Sequence, residues 1–279
     1  MNRKDEIHNL LTLTVEEVME KAGEKLIVCD GVENLYKQFA KDVFNEIQEH
    51  NDKKNSTRLI LPVGPTEQYP LLAEMINSEQ LSLNNCTLFF MDEYADDEGK
   101  VLPQDHPLSF KGSAHKLFLD RIENKLRPDP KRIHFPDETN IENLAGWIKS
   151  GGIDTCYGGI GIHGHIAFNE PGLGVIHSNP HLANLNAYTV TINAIRAQVG
   201  GNLEGFPHHA YTIGMRQILT SRHIRLYCRN GIGFDWANTV LRLALFGIPG
   251  DDYPVTHIRD RDYVIVTDKD TLKTPEIIL

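Results

Sequence analysis

Strands alternating with helices predict an α/β fold for this chain of 279 residues: a three-layer sandwich around a mainly parallel, Rossmann-like sheet. Three observations carry that expectation. Short apolar runs such as LIL (59–61) and CTLFF (86–90) are continuous, as in strands covered on both faces. Most are followed by stretches with apolar residues at helical spacing. The runs close on Gly, Pro or acids, at the strand ends where open sheets of this kind collect ligands.

Taken in order, residues 4–22 carry Ile7, Leu10, Leu11, Leu13, Val15 and Val18 among charges, a short amphipathic pattern. Thr14 with Glu17 three residues on is a capping box that starts a helix over 15–22. Residues 1–24 are read as a helical extension, and 25–279 as a single domain. KLIVCD (25–30) predicts a strand. In 31–50, Val32, Leu35, Phe39, Val43, Phe44 and Ile47 predict a helix. RLILPVG (58–64) is a buried strand closed by Pro and Gly, running into a helix over 65–76. CTLFFMDEY (86–94) reads as one buried strand ending in acids. Helices follow at 109–122 and 138–150, and strands at 132–135 and 153–161. NAYTVTI (186–192) reads as a strand from its β-branched residues. Residues 211–219 pass from strand to helix, 223–228 form a strand, 234–247 a helix and 262–268 a strand.

Lys and Arg number 28 against 38 Asp and Glu, a formal charge of −10. This argues against a general nucleic-acid or anionic-membrane surface, which needs clustered cations, while leaving room for a small anion in a locally basic pocket. The four cysteines form no C-x-x-C pair, which excludes a zinc ribbon or thioredoxin-like site. They lie in or beside short apolar runs and are expected to be buried thiols. The first twenty residues are too polar for a signal peptide, and no apolar run reaches the roughly 20 residues a membrane span requires. A cytoplasmic location is expected.

Three strand ends carry chemistry. Gly64-Pro65-Thr66 lies between a strand and a helix, where backbone N–H groups favour anions, although an ordinary capped turn has the same pattern. Asp92-Glu93 follow a buried run. Because neighbours on a strand point opposite ways, at most one of them enters a cleft, and burial would suit it to general-base work. Residues 158–172, GGIGIHGHIAFNEPG, hold His163, His165 and Glu170 among glycines. A histidine oriented by a carboxylate is a proton shuttle; the same H-x-H-x4-E spacing also resembles the metal-ligand run of cupins, though not their all-β pattern.

GHIAFNEPG (164–172), MDEY (91–94) and LPQDHPLSF (102–110) together resemble the glucosamine-6-phosphate deaminase/isomerase family. That family carries G-x-G-x-D-G-H-I-A-F-N-E-P, M-D-E-Y and L-P-x-x-H-P-x-S-[YF] in this order. The similarity runs from about residue 26 to 265. It implies opening of the pyranose ring of glucosamine 6-phosphate, proton transfer between C2 and C1, and release of ammonia to give fructose 6-phosphate, with no obligatory cofactor. By motif position Asp92 is the base for the C2/C1 proton, His165 the acid/base for ring opening, and Glu170 its orienting partner. Gly64, Thr66 and Glu93 would contact substrate. A homo-oligomer is expected from the resemblance.

Two positions depart from the pattern. His163 stands where the family has the acid of D-G-H, and supplies no negative charge to polarise His165. The phosphate lysine expected after HIRLYC is absent; the chain reads Arg229-Asn230-Gly231 there, leaving Arg229 or Arg196 to bind phosphate, Arg229 by a bidentate guanidinium. These departures leave open a different sugar, a non-catalytic sugar-phosphate sensor, or a lactonase-type hydrolase on the same fold. His177, His181, His208 and His209 are expected at the surface, and Trp147 and Trp236 in helix packing.

Overall fold

A computed structural model describes residues 2–231, 233 and 235–279. Phe234, where the expected helix over 234–247 begins, lies outside the described residues.

The chain opens with α1 (Arg3–Leu11) and α2 (Val15–Ala22). Thr14 and Glu17 close the reciprocal capping box that the sequence predicts. Then come β1 (Leu26–Cys29), α3 (Val32–Asp52), β2 (Thr57–Leu61), α4 (Gln68–Ser78), β3 (Cys86–Phe90), β4 (Asp92–Ala95), α5 (Phe110–Leu117) and β5 (Ile133–His134). The second half adds α6 (Ile141–Gly151), β6 (Thr155–Gly159), β7 (His181–Asn184), α7 (Ala187–Arg196), β8 (His209–Thr212), α8 (Met215–Leu219), β9 (His223–Tyr227), α9 (Ala237–Phe246), β10 (Tyr263–Asp268) and α10 (Lys269–Leu272).

Among the described residues, seven strands form one sheet in the order β1-β10-β9-β6-β2-β3-β5, with every pair parallel. Side-chain alternation sends successive residues of each strand to opposite faces. Ile60, Phe89, Cys156, Leu226 and Ile265 pack with α2, α6, α8 and α9. Leu59, Leu61, Leu88, Phe90, Tyr157, Tyr227 and Val266 pack with α3, α4 and α5. Both faces are therefore dry, which is why the strands read as unbroken apolar runs. All four cysteines are buried free thiols. Among the described residues, no helix is long and apolar enough to cross a membrane.

Two expectations are corrected, and one strand forms where none is expected. The run 86–94 is two strands: β3 ends at Phe90, the Met91 N–H pairs with Leu61 O at 3.0 Å, and β4 departs into a second, antiparallel sheet in the order β4-β8-β7. β7 itself is absent from the sequence reading. NAYTVTI is a helix: Asn186 Oδ1 accepts the N–H groups of Tyr188 and Thr189 at 3.0 Å each, and Val190 and Ala194, four apart, are buried in a third core. A side-chain cap and one buried stripe outweigh the strand preference of β-branched residues.

Candidate active site

The carboxyl ends of β2, β3, β6 and β9 open onto a cavity of about 540 Å³, lined by residues that include Gly64, Thr66, Asp92, His165, Arg196 and Arg229. Gly159, Gly161, Phe168 and Trp236 also line it. Glu93, His163 and Glu170 do not.

Asp92 is the first residue of β4, immediately past the point where the chain leaves the main sheet. It is 4% exposed. Its Oδ1 accepts the Phe168 N–H at 3.1 Å, and that same N–H reaches Thr212 Oγ1 at 3.0 Å. Burial raises the carboxyl to about 7, against the lowering pull of Thr212, the Phe168 amide and His165. A carboxylate held there is far more basic than an exposed one and has a reason to accept a proton.

His165 owes its placement to the glycines around it. A Cβ on Gly161 would lie 1.9 Å from His165 Nε2, so the ring lies directly over that backbone. Gly164 adopts φ +67° and Ala167 φ +53°. The second is a left-handed conformation costly for a residue with a side chain, of the kind that collects at functional sites. Asn169 locks the loop from behind: its Nδ2 donates to Ile166 O and Ile213 O, and its Oδ1 accepts from Ser178 Oγ and Met215 N–H.

Glu170 Oε2 lies 3.5 Å from His165 Nδ1, a nitrogen that has no closer partner among the described residues. Burial would raise the Glu170 carboxyl, yet His165, Thr189 and the Asn186 amide together hold it below its ordinary value, keeping it anionic. His163 sits beside this pair. Burial and His165 push its imidazole below its usual value, with Glu170 opposing. One donor atom each from His163, His165 and Glu170 lies within 4.8 Å of the others, so these residues have the spacing to hold a cation. The Asn186 Nδ2 amide competes for that space, donating to Glu170 Oε2 at 2.6 Å and standing 3.4 Å from His163 Nδ1. A hydrogen donor aimed at the lone pairs a metal would need favours a hydrogen-bonded cluster.

Glu93 is turned away from the cavity, contrary to its expected place among the substrate contacts. Its carboxylate accepts the N–H groups of Tyr94, Phe110 and Lys111 and the Ser109 hydroxyl, at 2.7–3.1 Å. It therefore holds the first turn of α5, where amides lack helical partners. Alternation along β4 divides the two acids between cavity and scaffold.

At the other side of the cavity Arg229 and Arg196 converge. Arg229 Nη2 is 3.1 Å from Glu67 Oε1, and its guanidinium lies 5.5 Å from the Tyr36 ring centroid. Arg196 lies over the Trp236 ring at 4.2 Å, with Asp235 at 3.6 Å. Burial and the nearby Arg229 lower the Arg196 guanidinium. Trp236 thus carries a cation as well as packing. The sequence reading passed over Asn186, Thr212 and Glu67. The β-branched residues after Asn186 mask the helix that it caps, and Glu67 takes its meaning from Arg229, far along the chain. His177 and His208 are exposed, His181 and His209 half-buried, and none of the four lines the cavity.

No family model matches the chain. It is 33% identical over 211 residues to a glucosamine-6-phosphate deaminase of Caenorhabditis elegans, covering 72% of this chain and 74% of that protein. It is 30% identical over 212 residues to human glucosamine-6-phosphate deaminase 2, covering 72% of each. A solved structure of a monomeric glucosamine-6-phosphate deaminase superposes with a TM-score of 0.76 at 27% identity, over 88% of this chain and 98% of that one. The 6-phosphogluconolactonase of Thermotoga maritima shares the fold, with a TM-score of 0.63 at 16% identity over 88% of this chain and 100% of that one. With its fold, its motif order and these relatives in agreement, the chain belongs to the glucosamine-6-phosphate deaminase family.

Proposed function

We propose that this protein converts an amino-sugar phosphate, glucosamine 6-phosphate in the first instance, into the ketose phosphate and ammonia. The observation that carries the reading is the pairing of two proton carriers on one cavity wall: Asp92, buried and raised to about 7, and His165, with Glu170 behind it at 3.5 Å.

In this reading His165 passes a proton between the ring oxygen and the C1 hydroxyl, opening the pyranose to the aldehyde. Asp92 takes the C2 proton and returns it to C1. The electron pair left at C2 forms the C1–C2 double bond while the aldehyde oxygen takes a proton from the C2 ammonium, and return of the proton to C1 draws the nitrogen lone pair into a C2 iminium. Water adds at C2, and ammonia leaves as the ketone forms. Glu170, anionic, orients His165 and balances its charge when protonated. His163 acts behind His165 as a positioning residue, since it does not line the cavity. Arg196 and Arg229 hold the anionic end, with the turn at Gly64 and Thr66.

The test is to incubate the protein with glucosamine 6-phosphate and follow ammonia and fructose 6-phosphate together. Asp92→Asn should lower turnover by at least a thousandfold while the circular dichroism spectrum is unchanged. Substantial activity in that variant removes Asp92 from its role; binding without ammonia release would leave a sugar-phosphate sensor.

A further inference from the structure

The end of the cavity that would receive an anion already holds one belonging to the protein. Glu67 follows Thr66 in the turn between β2 and α4. Its Oε2 accepts the Thr66 N–H at 2.9 Å and its Oε1 accepts from Arg229 Nη2 at 3.1 Å. These are a backbone amide at a turn and a guanidinium, the two kinds of donor a phosphate oxygen would seek. The second guanidinium, Arg196, is also matched, with Asp235 at 3.6 Å. The formal charge over these four side chains is zero.

The two acids differ in how they are held. Asp235 accepts the N–H groups of Gly231 and Ala237 at 2.6 and 3.0 Å, and its side chain is 9% exposed. It is fixed in the loop. The Glu67 side chain is 48% exposed, and its hydrogen bonds to Thr66 and Arg229 go to groups on the cavity rim. It can therefore leave for water with little loss of solvation.

We propose that Glu67 is a specificity-determining residue, an internal carboxylate that competes with the substrate's anionic end for the Thr66 amide and Arg229. A phosphate dianion must displace it, and the protein discriminates against phosphorylated ligands to the extent that Glu67 stays. Discrimination of this kind comes from a repulsive group as much as from attractive ones. The inference rests on the reading above only in taking the anionic end to be that of a sugar phosphate.

Calorimetric titration with inorganic phosphate decides it without reference to turnover, so an inactive protein still gives an answer. E67Q keeps the shape and removes the charge. It should bind phosphate at least tenfold more tightly than the unmodified protein, and E67A should do the same. If turnover is present, KM for glucosamine 6-phosphate should fall in step with the phosphate Kd. Equal or weaker phosphate binding in both variants, or no phosphate binding in any of the three proteins, overturns the proposal.

Discussion

At the scale of single residues, Asp92 combines cost and use. Its folded-state carboxyl is raised above its ordinary value of 3.8 to about 7, with burial the largest cause. The sign follows from linkage: a raised group stabilises the fold while protonated, and that contribution is lost as pH rises from about 4 to about 7. As the proposed base Asp92 works deprotonated, so kcat/KM should fall about tenfold per unit below pH 7. Asp92→Asn, which keeps the oxygen that accepts the Phe168 N–H, should show a Tm several degrees higher than the parent at pH 8 and no gain at pH 3.5. A variant less stable at pH 8 would contradict buried charge as the source of the shift. Asp92, His165 and Glu170 were legible because strand-end acids and glycine-framed histidines leave a local signature. Glu67 was not, because its meaning depends on Arg229, 162 residues away.

At the scale of elements, Glu93 shows how one carboxylate can start a helix from another strand. It receives four hydrogen bonds, two of them from Phe110 and Lys111 in the first turn of α5. Replacing it with Ala leaves these donors, buried or partly buried, without their acceptor, which should cost about 1–3 kcal/mol. Chemical denaturation would measure the loss, and faster hydrogen exchange at Phe110 and Lys111 would localise it. Unchanged exchange there would rule out the capping role. The main sheet was readable because parallel strands buried on both faces give unbroken apolar runs. The small sheet was not, since β4, β7 and β8 are four-residue segments brought together across more than a hundred residues. The helix α7 was missed for a related reason. Thr189, Val190, Thr191 and Ile192 favour a strand locally, and the Asn186 cap with the core under Val190 and Ala194 decides otherwise.

At the scale of the whole molecule, the first helix is tied to the segment before β10. Arg3 donates to Asp252 at 2.7 and 2.8 Å. Glu6, 5% exposed, accepts the Ile248 N–H at 2.5 Å. The same segment braces the histidine loop: the Gly172 N–H meets Asp251 O at 3.2 Å, the Gly174 N–H meets Asp251 Oδ2 at 2.7 Å, and the Val255 N–H meets Gly164 O at 2.7 Å. Glu6→Ala removes the acceptor of the Ile248 N–H and one of the two carboxylates that hold Arg3, and should lower stability by about 1–3 kcal/mol. Exchange mapping should show loosening at residues 248–252 and 164–174 together. Loosening confined to α1 would show that the brace ends there. Where that brace transmits, it works in both directions, because a coupling free energy is reciprocal. A ligand that quiets the histidine loop must also tighten the grip on the opening turn of the chain. Occupancy of the cavity would then be readable as slower proteolytic cleavage within α1, a helix that contributes no residue to the cavity lining.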